Sequence, residues 1–247
     1  MNYQAYIINL EHATDRWEHM RANLEGRSIP YIRIDGVYGK KLQPPIKGYN
    51  ERKYHVLNGK VTNPGEVGCF FSHINALKTF LETDHPHALI LEDDVTLPEN
   101  IKELLDTALE YSNDWDLLRL TSSRTGQYLV FGSLPDGSEI AYNTRVLKNT
   151  GAYLINRFAA QQCIEKIMPM RLPYDEALDR DWDFGCRSAC IIPFPVKLEE
   201  EMPSQIHRAD RIRLYRSTTF HLFHTLTHVE RIVHRKHYYR KQQQRQP

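Results

Sequence analysis

The chain is 247 residues long, poor in cysteine and without an internal repeat. Its four cysteines, Cys69, Cys163, Cys186 and Cys190, form no Cys-x-x-Cys pair. That excludes a disulfide scaffold and a paired-thiol zinc ribbon, and it points to a reducing compartment. No stretch approaches the roughly 20 apolar residues of a membrane-spanning helix. The opening residues MNYQAYIINL carry no basic segment ahead of an apolar one, so neither a secretion signal nor an anchor is expected, and the expected compartment is the cytoplasm. A Gly-x-Ser-x-Gly motif is also missing, which removes a hydrolase nucleophile elbow.

The length suits one large α/β domain or two small ones, with a substantial core. Net charge is only +1, but residues 208–247 hold ten Lys and Arg against two acids, a net of +8 that leaves −7 for residues 1–207. This reading makes 1–207 the domain and 208–247 a basic, helical tail. Such asymmetry points to an anionic partner, a membrane surface or a nucleic acid. The tail spaces Leu214, Phe220, Leu222, Phe223, Leu226, Val229, Ile232 and Val233 among basic residues and histidines, the pattern of an amphipathic basic helix. A docked helix with one solvated face is the alternative.

Periodicity places strands at Tyr3–Leu10, Tyr31–Ile34, Ala88–Leu91, Asp116–Leu120, Ala152–Ile155 and Ala189–Ile192. Helices are expected over Thr14–Leu24, from Asn63 onward, after Pro98 and over Ala159–Met168. Asn63, Pro64 and Glu66 form a helix-capping arrangement, followed by an apolar face of Val67, Phe70, Phe71, Ile74, Leu77 and Leu81. Tyr128–Phe131 and Glu139–Tyr142 make a hairpin through Pro135-Asp136-Gly137, and Gly39–Thr62 reads as a long loop. Strands separated by helices predict a three-layer α/β fold with a mostly parallel sheet.

The most informative segment is ALILEDDV at 88–95, an apolar strand ending in Glu92, Asp93 and Asp94. In open α/β sheets, ligands bind beyond the C-terminal ends of strands. Hard cations such as Mg²⁺ or Mn²⁺ combine one or two carboxylates with substrate phosphates. The triplet therefore predicts a metal-bridged nucleotide site, with a solvated acidic turn as the alternative.

Separate segments then converge. INLEHATDR with Asn9, Leu10 and Arg16, IDG at 34–36, GEVGCFFSH at 65–73 and ALILEDDV occur in the order seen in glycosyltransferase family 25, followed by NTGAYLINRFAA at 149–160 and PYDEALDRDW at 173–182. Over roughly residues 3–205 the chain resembles the bacterial lipopolysaccharide or lipooligosaccharide sugar transferases of that family. The resemblance implies a GT-A-like fold, a UDP-sugar donor such as UDP-galactose or UDP-glucose, and inversion at the anomeric carbon. It sets the acidic triplet in place of the DxD motif, with Asp94 and Glu92 as candidate metal ligands and Asp93 at the donor. Arg16 is the expected counter-charge for the UDP leaving group, and Asn9 a contact to base or ribose.

Inversion needs a base for the acceptor hydroxyl. Among Asp175, Glu176, Asp179, Asp181 and Asp183, the expected bases are Asp181 or Asp175, with Trp182 placed to stack on a sugar. His73 reads as a hydrogen-bonded structural histidine. His207, His221 and His224 are candidates for a further metal ligand. The expected acceptor is a lipid-anchored oligosaccharide at the inner face of the membrane, with the tail on anionic lipid at about 1 kcal/mol per basic residue. A nucleic-acid-binding protein explains the tail but leaves the acid-tipped strand idle. A nucleotide phosphohydrolase shares the acids but needs no acceptor.

Overall fold

Segments rich in β-branched and aromatic residues alternate with helical ones, and the computed structural model, which describes residues 2–199 and 210–244, stacks them in three layers. In chain order the elements are β1 (Tyr3–Asn9), α1 (Thr14–Glu25), β2 (Tyr31–Asp35), α2 (Glu51–Asn58), α3 (Pro64–Leu81), β3 (His87–Glu92), β4 (Val95–Thr96), α4 (Ile101–Glu110) and β5 (Leu117–Arg119). There follow β6 (Tyr128–Ser133), β7 (Glu139–Asn143), β8 (Ala152–Asn156), α5 (Arg157–Ile167), α6 (Tyr174–Leu178), β9 (Ser188–Ile192), β10 (Lys197–Leu198), the short α7 (Arg213–Tyr215) and α8 (His221–Gln243). A π-helical turn at Arg216–Phe220 joins the last two.

Eight strands form one sheet in the order β2-β1-β3-β8-β5-β9-β7-β6. Only β7 and β8 run against the others, so the sheet is mostly parallel, as predicted. The period-two alternation of β3 explains its continuous apolar run. Leu89 and Leu91 enter a core with Tyr3, Ile7, Met20 and Leu105, while Ala88 and Ile90 enter the opposite core with Phe70, Ile74 and Leu77 of α3. The hairpin turns at Gly137, whose φ of 84° suits glycine.

The expected loop at 39–62 is corrected by α2. Its signals were local: the Asn50 side chain accepts from the Lys53 N–H at 3.0 Å, and Gly59 ends the helix in the left-handed region. With Tyr54 and Asn58 as its buried residues, the helix has too narrow an apolar face to show a clear period.

The tail is helical, but its amphipathicity is inverted. Arg231 and Arg235 of α8 are buried against the body, while Leu222, Leu226, Val229 and Val233 are 55–63% exposed. The buried guanidiniums meet acids of the segment after α6: Arg231 lies 2.6 Å from Asp179 and Arg235 2.8 Å from Asp181. Part of the charge asymmetry is thus neutralised inside the chain. The 207/208 boundary lies outside the described residues. Among those described, no helix is long and apolar enough to cross a membrane.

Removing one partner of a buried pair leaves the other charge uncompensated. Arg235→Ala should therefore lower unfolding free energy by about 3–5 kcal/mol in a denaturant titration. Leu226→Ala on the outer face should stay within about 0.5 kcal/mol, and equal losses would show that the ion pair does not dock the helix.

Candidate active site

Strands β1 and β3 lie side by side and end together, Ile8 opposite Glu92. Just beyond them Asp93 accepts from two directions. Asn9 Nδ2 donates to its Oδ2 at 2.7 Å, and Arg16 Nη1 lies 2.6 Å from its Oδ1. Asn9 also donates to the Ala13 carbonyl at 3.0 Å and accepts from Arg33 Nη2 at 2.6 Å. It is 1% exposed, so the expected base or ribose contact is corrected: Asn9 works behind the cleft, positioning Asp93. That carboxylate in turn holds Arg16, whose Nη1 is 3.6 Å from Asp94 Oδ2.

Glu92 Oε1 accepts from the Thr150 hydroxyl at 3.0 Å and lies 3.2 Å from His73 Nε2. Burial opposes its charge, but His73, Thr150 and the positive charge of Arg119 outweigh burial and hold the carboxyl below its usual range. His73 is fully buried, stacks on Tyr174 at 4.1 Å between ring centroids, and lies 3.1 Å from the Tyr153 hydroxyl through Nδ1. It is a structural histidine that orients a site carboxylate.

Asp94 is different. Its Oδ1 is buried and has no hydrogen-bond partner. Burial, and then the charge of Glu92, push its carboxyl up to about 7 against the pull of Arg16. The carboxylate oxygens of Asp94 and Glu92 are donors of the kind a hard divalent cation takes. The free protein holds the Asp94 proton more tightly folded than unfolded, so its stability falls as pH rises from about 4 to about 7. Asp94→Asn should melt higher than the unsubstituted, metal-free protein above pH 7, and the gap should close toward pH 4. Mn²⁺ should raise the melting temperature of the unsubstituted protein alone, and a response in the Asn variant would move the ion elsewhere.

The cleft in front of these acids is lined by Arg16, Tyr38, Lys40, His73 and the three strand-end acids, among others. Its far wall is the turn at Gly39–Lys41 packed on the start of α3. A Cβ at Gly39 would lie 1.7 Å from the Pro64 carbonyl oxygen, and one at Gly68 2.4 Å from that of Val37, so glycine is required at both. Ser72 ties the same wall, accepting from the Val37 N–H at 2.7 Å and donating to the Gly68 carbonyl at 2.8 Å.

The acids of 175–183 separate. Asp175 lines a cavity that also contains Glu92, Cys69, Thr150 and Lys148, and burial raises its pKa while Lys148 opposes the shift. Asp181 is 0% exposed, accepts from the Ser188 N–H at 2.7 Å and pairs with Arg235. The expectation of a base there is corrected, because no surface of Asp181 can meet an acceptor. Trp182 is corrected too: His234 stacks on it at 5.7 Å, and Arg180 and Arg231 lie over the ring. His221 is exposed, His224 lines a different cavity, and His207 lies outside the described residues. Thr150 and Lys148 escaped the sequence reading, although Thr150 stood inside the recognised NTGAYLIN segment.

The family model "Glycosyltransferase family 25 (LPS biosynthesis protein)" matches residues 2–178. The chain belongs to glycosyltransferase family 25. Its α/β architecture, a large central sheet covered by helices with a helical tail, is the one expected from the sequence. The family 25 protein lic2B of lipooligosaccharide biosynthesis, from Haemophilus influenzae, is 30% identical over 70% of this chain and 67% of its own length. Procollagen galactosyltransferase 1-B of Xenopus laevis is 34% identical over 49% of this chain. The chain spans 21% of the length of that relative. A solved glycosyltransferase involved in glycosylation of the major capsid of PBCV-1 aligns at 15% identity and a TM-score of 0.33, covering 67% of this chain and 63% of that one, a likeness too slight for a functional argument.

Proposed function

We propose that this chain transfers a hexose, galactose or glucose, from a UDP-sugar to a lipid-anchored oligosaccharide acceptor with inversion, using Mn²⁺ or Mg²⁺ held by Asp94 and Glu92. The observation that carries the reading is the buried, partnerless oxygen of Asp94 beside Arg16, in a cleft at the ends of β1 and β3. The relatives, a procollagen galactosyltransferase and a lipooligosaccharide biosynthesis protein, favour galactose as the sugar and a lipooligosaccharide as the acceptor.

A bound divalent ion supplies positive charge for the departing diphosphate. Arg16, braced by Asp93, presents a second positive charge whose position is set before reaction. His73 and Thr150 hold Glu92 in one orientation. Asp175 is the base of this scheme: it takes the proton as the acceptor oxygen bonds to the anomeric carbon and the bond to UDP breaks on the opposite face. Its raised proton affinity suits that role. The decisive assay is UDP release from a panel of UDP-sugars, with and without Mn²⁺ and with truncated lipooligosaccharide acceptors. Release should depend on acceptor, metal and one donor, and Asp94→Asn should lower kcat by about 100-fold. Release without acceptor would indicate a phosphohydrolase instead.

The inverted α8 supports attachment at an anionic bilayer. Leu222, Leu226, Val229 and Val233 form one outward stripe that exposed Lys236 and Arg240 continue at helical spacing. Arg231 and Arg235, turned inward onto acids, contribute little to a nucleic-acid reading. Leu226→Glu with Val233→Glu should reduce pelleting with anionic vesicles by about tenfold while donor turnover stays unchanged. Undiminished pelleting would remove this face from the interaction.

A further inference from the structure

Between α8 and the body lies a second and larger cavity, of about 520 Å³. Seven Lys and Arg side chains line it against three acids. Four of those cations have carboxylate partners: Lys60 on Glu66, Lys148 on Glu176, Arg180 on Asp183 and Arg231 on Asp179. Among the described residues, Arg124, Arg211 and Arg216 have none.

Two of these arginines are held in place. The backbone at Arg211 bridges to Lys60, and the Ile212 N–H donates to the Gly59 carbonyl at 2.8 Å. Arg216 lies over Phe220, 3.4 Å from the ring centroid, and its Cδ occupies space that a Cβ at Gly59 would invade at 2.5 Å. Burial, and then the neighbouring Arg211 charge, push the Arg216 guanidinium below its ordinary value, against the pull of Glu176. His224 Nε2, on the same lining, is buried without a partner.

This cavity joins the transfer site. It shares Lys60, Glu66, Lys148 and Glu176 with the smaller cavity that contains Glu92, Thr150 and Asp175. We infer that it is the acceptor subsite for a saccharide bearing a phosphate or carboxylate, with the anion on Arg211, Arg216 and Arg124. Guanidiniums without a carboxylate partner recognise either anion by charge-assisted, bidentate hydrogen bonds. Calling the occupant an acceptor rests on the transferase reading; the anion site does not.

Isothermal titration of the full chain with glucose 6-phosphate, glucuronate and glucose tests it without turnover. The phosphorylated or the carboxylated sugar should bind, and whichever is tighter names the anion, while glucose should bind at least about tenfold more weakly. The paired change Arg211→Gln and Arg216→Gln should weaken binding of the anionic sugar by about tenfold or more. Arg124→Gln, at an exposed loop position, should weaken it without bearing on folding, and Arg16→Ala should leave it unchanged. No binding, equal binding of glucose, or a loss confined to Arg16→Ala would overturn the proposal. Retained binding in a protein that transfers no sugar would uphold the anion site while the transferase reading fails.

Discussion

A carboxylate drawn into a protein has to meet a positive charge or hydrogen-bond donors, because low-dielectric surroundings penalise an unpaired ion heavily. Much of this molecule follows from that requirement. Asp93 is met by Arg16 and Asn9, Glu92 by His73 and Thr150, Asp179 by Arg231 and Asp181 by Arg235. Each partner comes from a distant part of the chain. The acids thereby fasten α1 and α3 to the C-terminal ends of β1 and β3, and α8 to the segment between α6 and the start of β9. Asp94 alone in the strand-end triplet keeps a buried oxygen without a donor, and burial favours its protonated form.

The same pairing separates residues that touch a ligand from residues that aim them. Asp93, with each of its oxygens already hydrogen-bonded, functions as a brace for Arg16, and Asn9 as a brace for Asp93. His73 does for Glu92 what Asn9 does for Asp93. A site so organised begins with its dipoles in position, so little reorganisation accompanies the charge that develops on a leaving group. The glycine contacts at 39 and 68 extend this rigidity to the facing wall, where backbone packs on backbone.

The tail shows how one charge pattern can serve three surfaces. Its inward arginines close ion pairs, its first turns place on a cavity guanidiniums that have no carboxylate salt-bridge partner among the described residues, and its outer face exposes an apolar stripe ending in Lys236 and Arg240. A helix with its apolar side against its own core would need none of those acids at 179 and 181. Here the body supplies the acids and the solvent side takes the leucines and valines.

Local pattern was enough to determine the sheet strands, the capped α3, the hairpin and the strand-end acids, because side-chain period and capping residues act over a few neighbouring positions. The order of conserved-looking segments also led to the right family. Helix α2 was missed although Asn50 and Gly59 marked its ends, since its few buried residues show no clear period. The sequence could not rank Asp175 against Asp181, two acids six residues apart, because one faces a cavity and the other is sealed by Arg235, 54 positions further along. Nor could it say which side of α8 turns inward. Composition and spacing determined the kinds of groups present and the elements that carry them; only the tertiary structure decided which carboxylates are neutralised by their own chain and which keeps a buried oxygen without a partner, because that depends on charges brought together across long stretches of sequence.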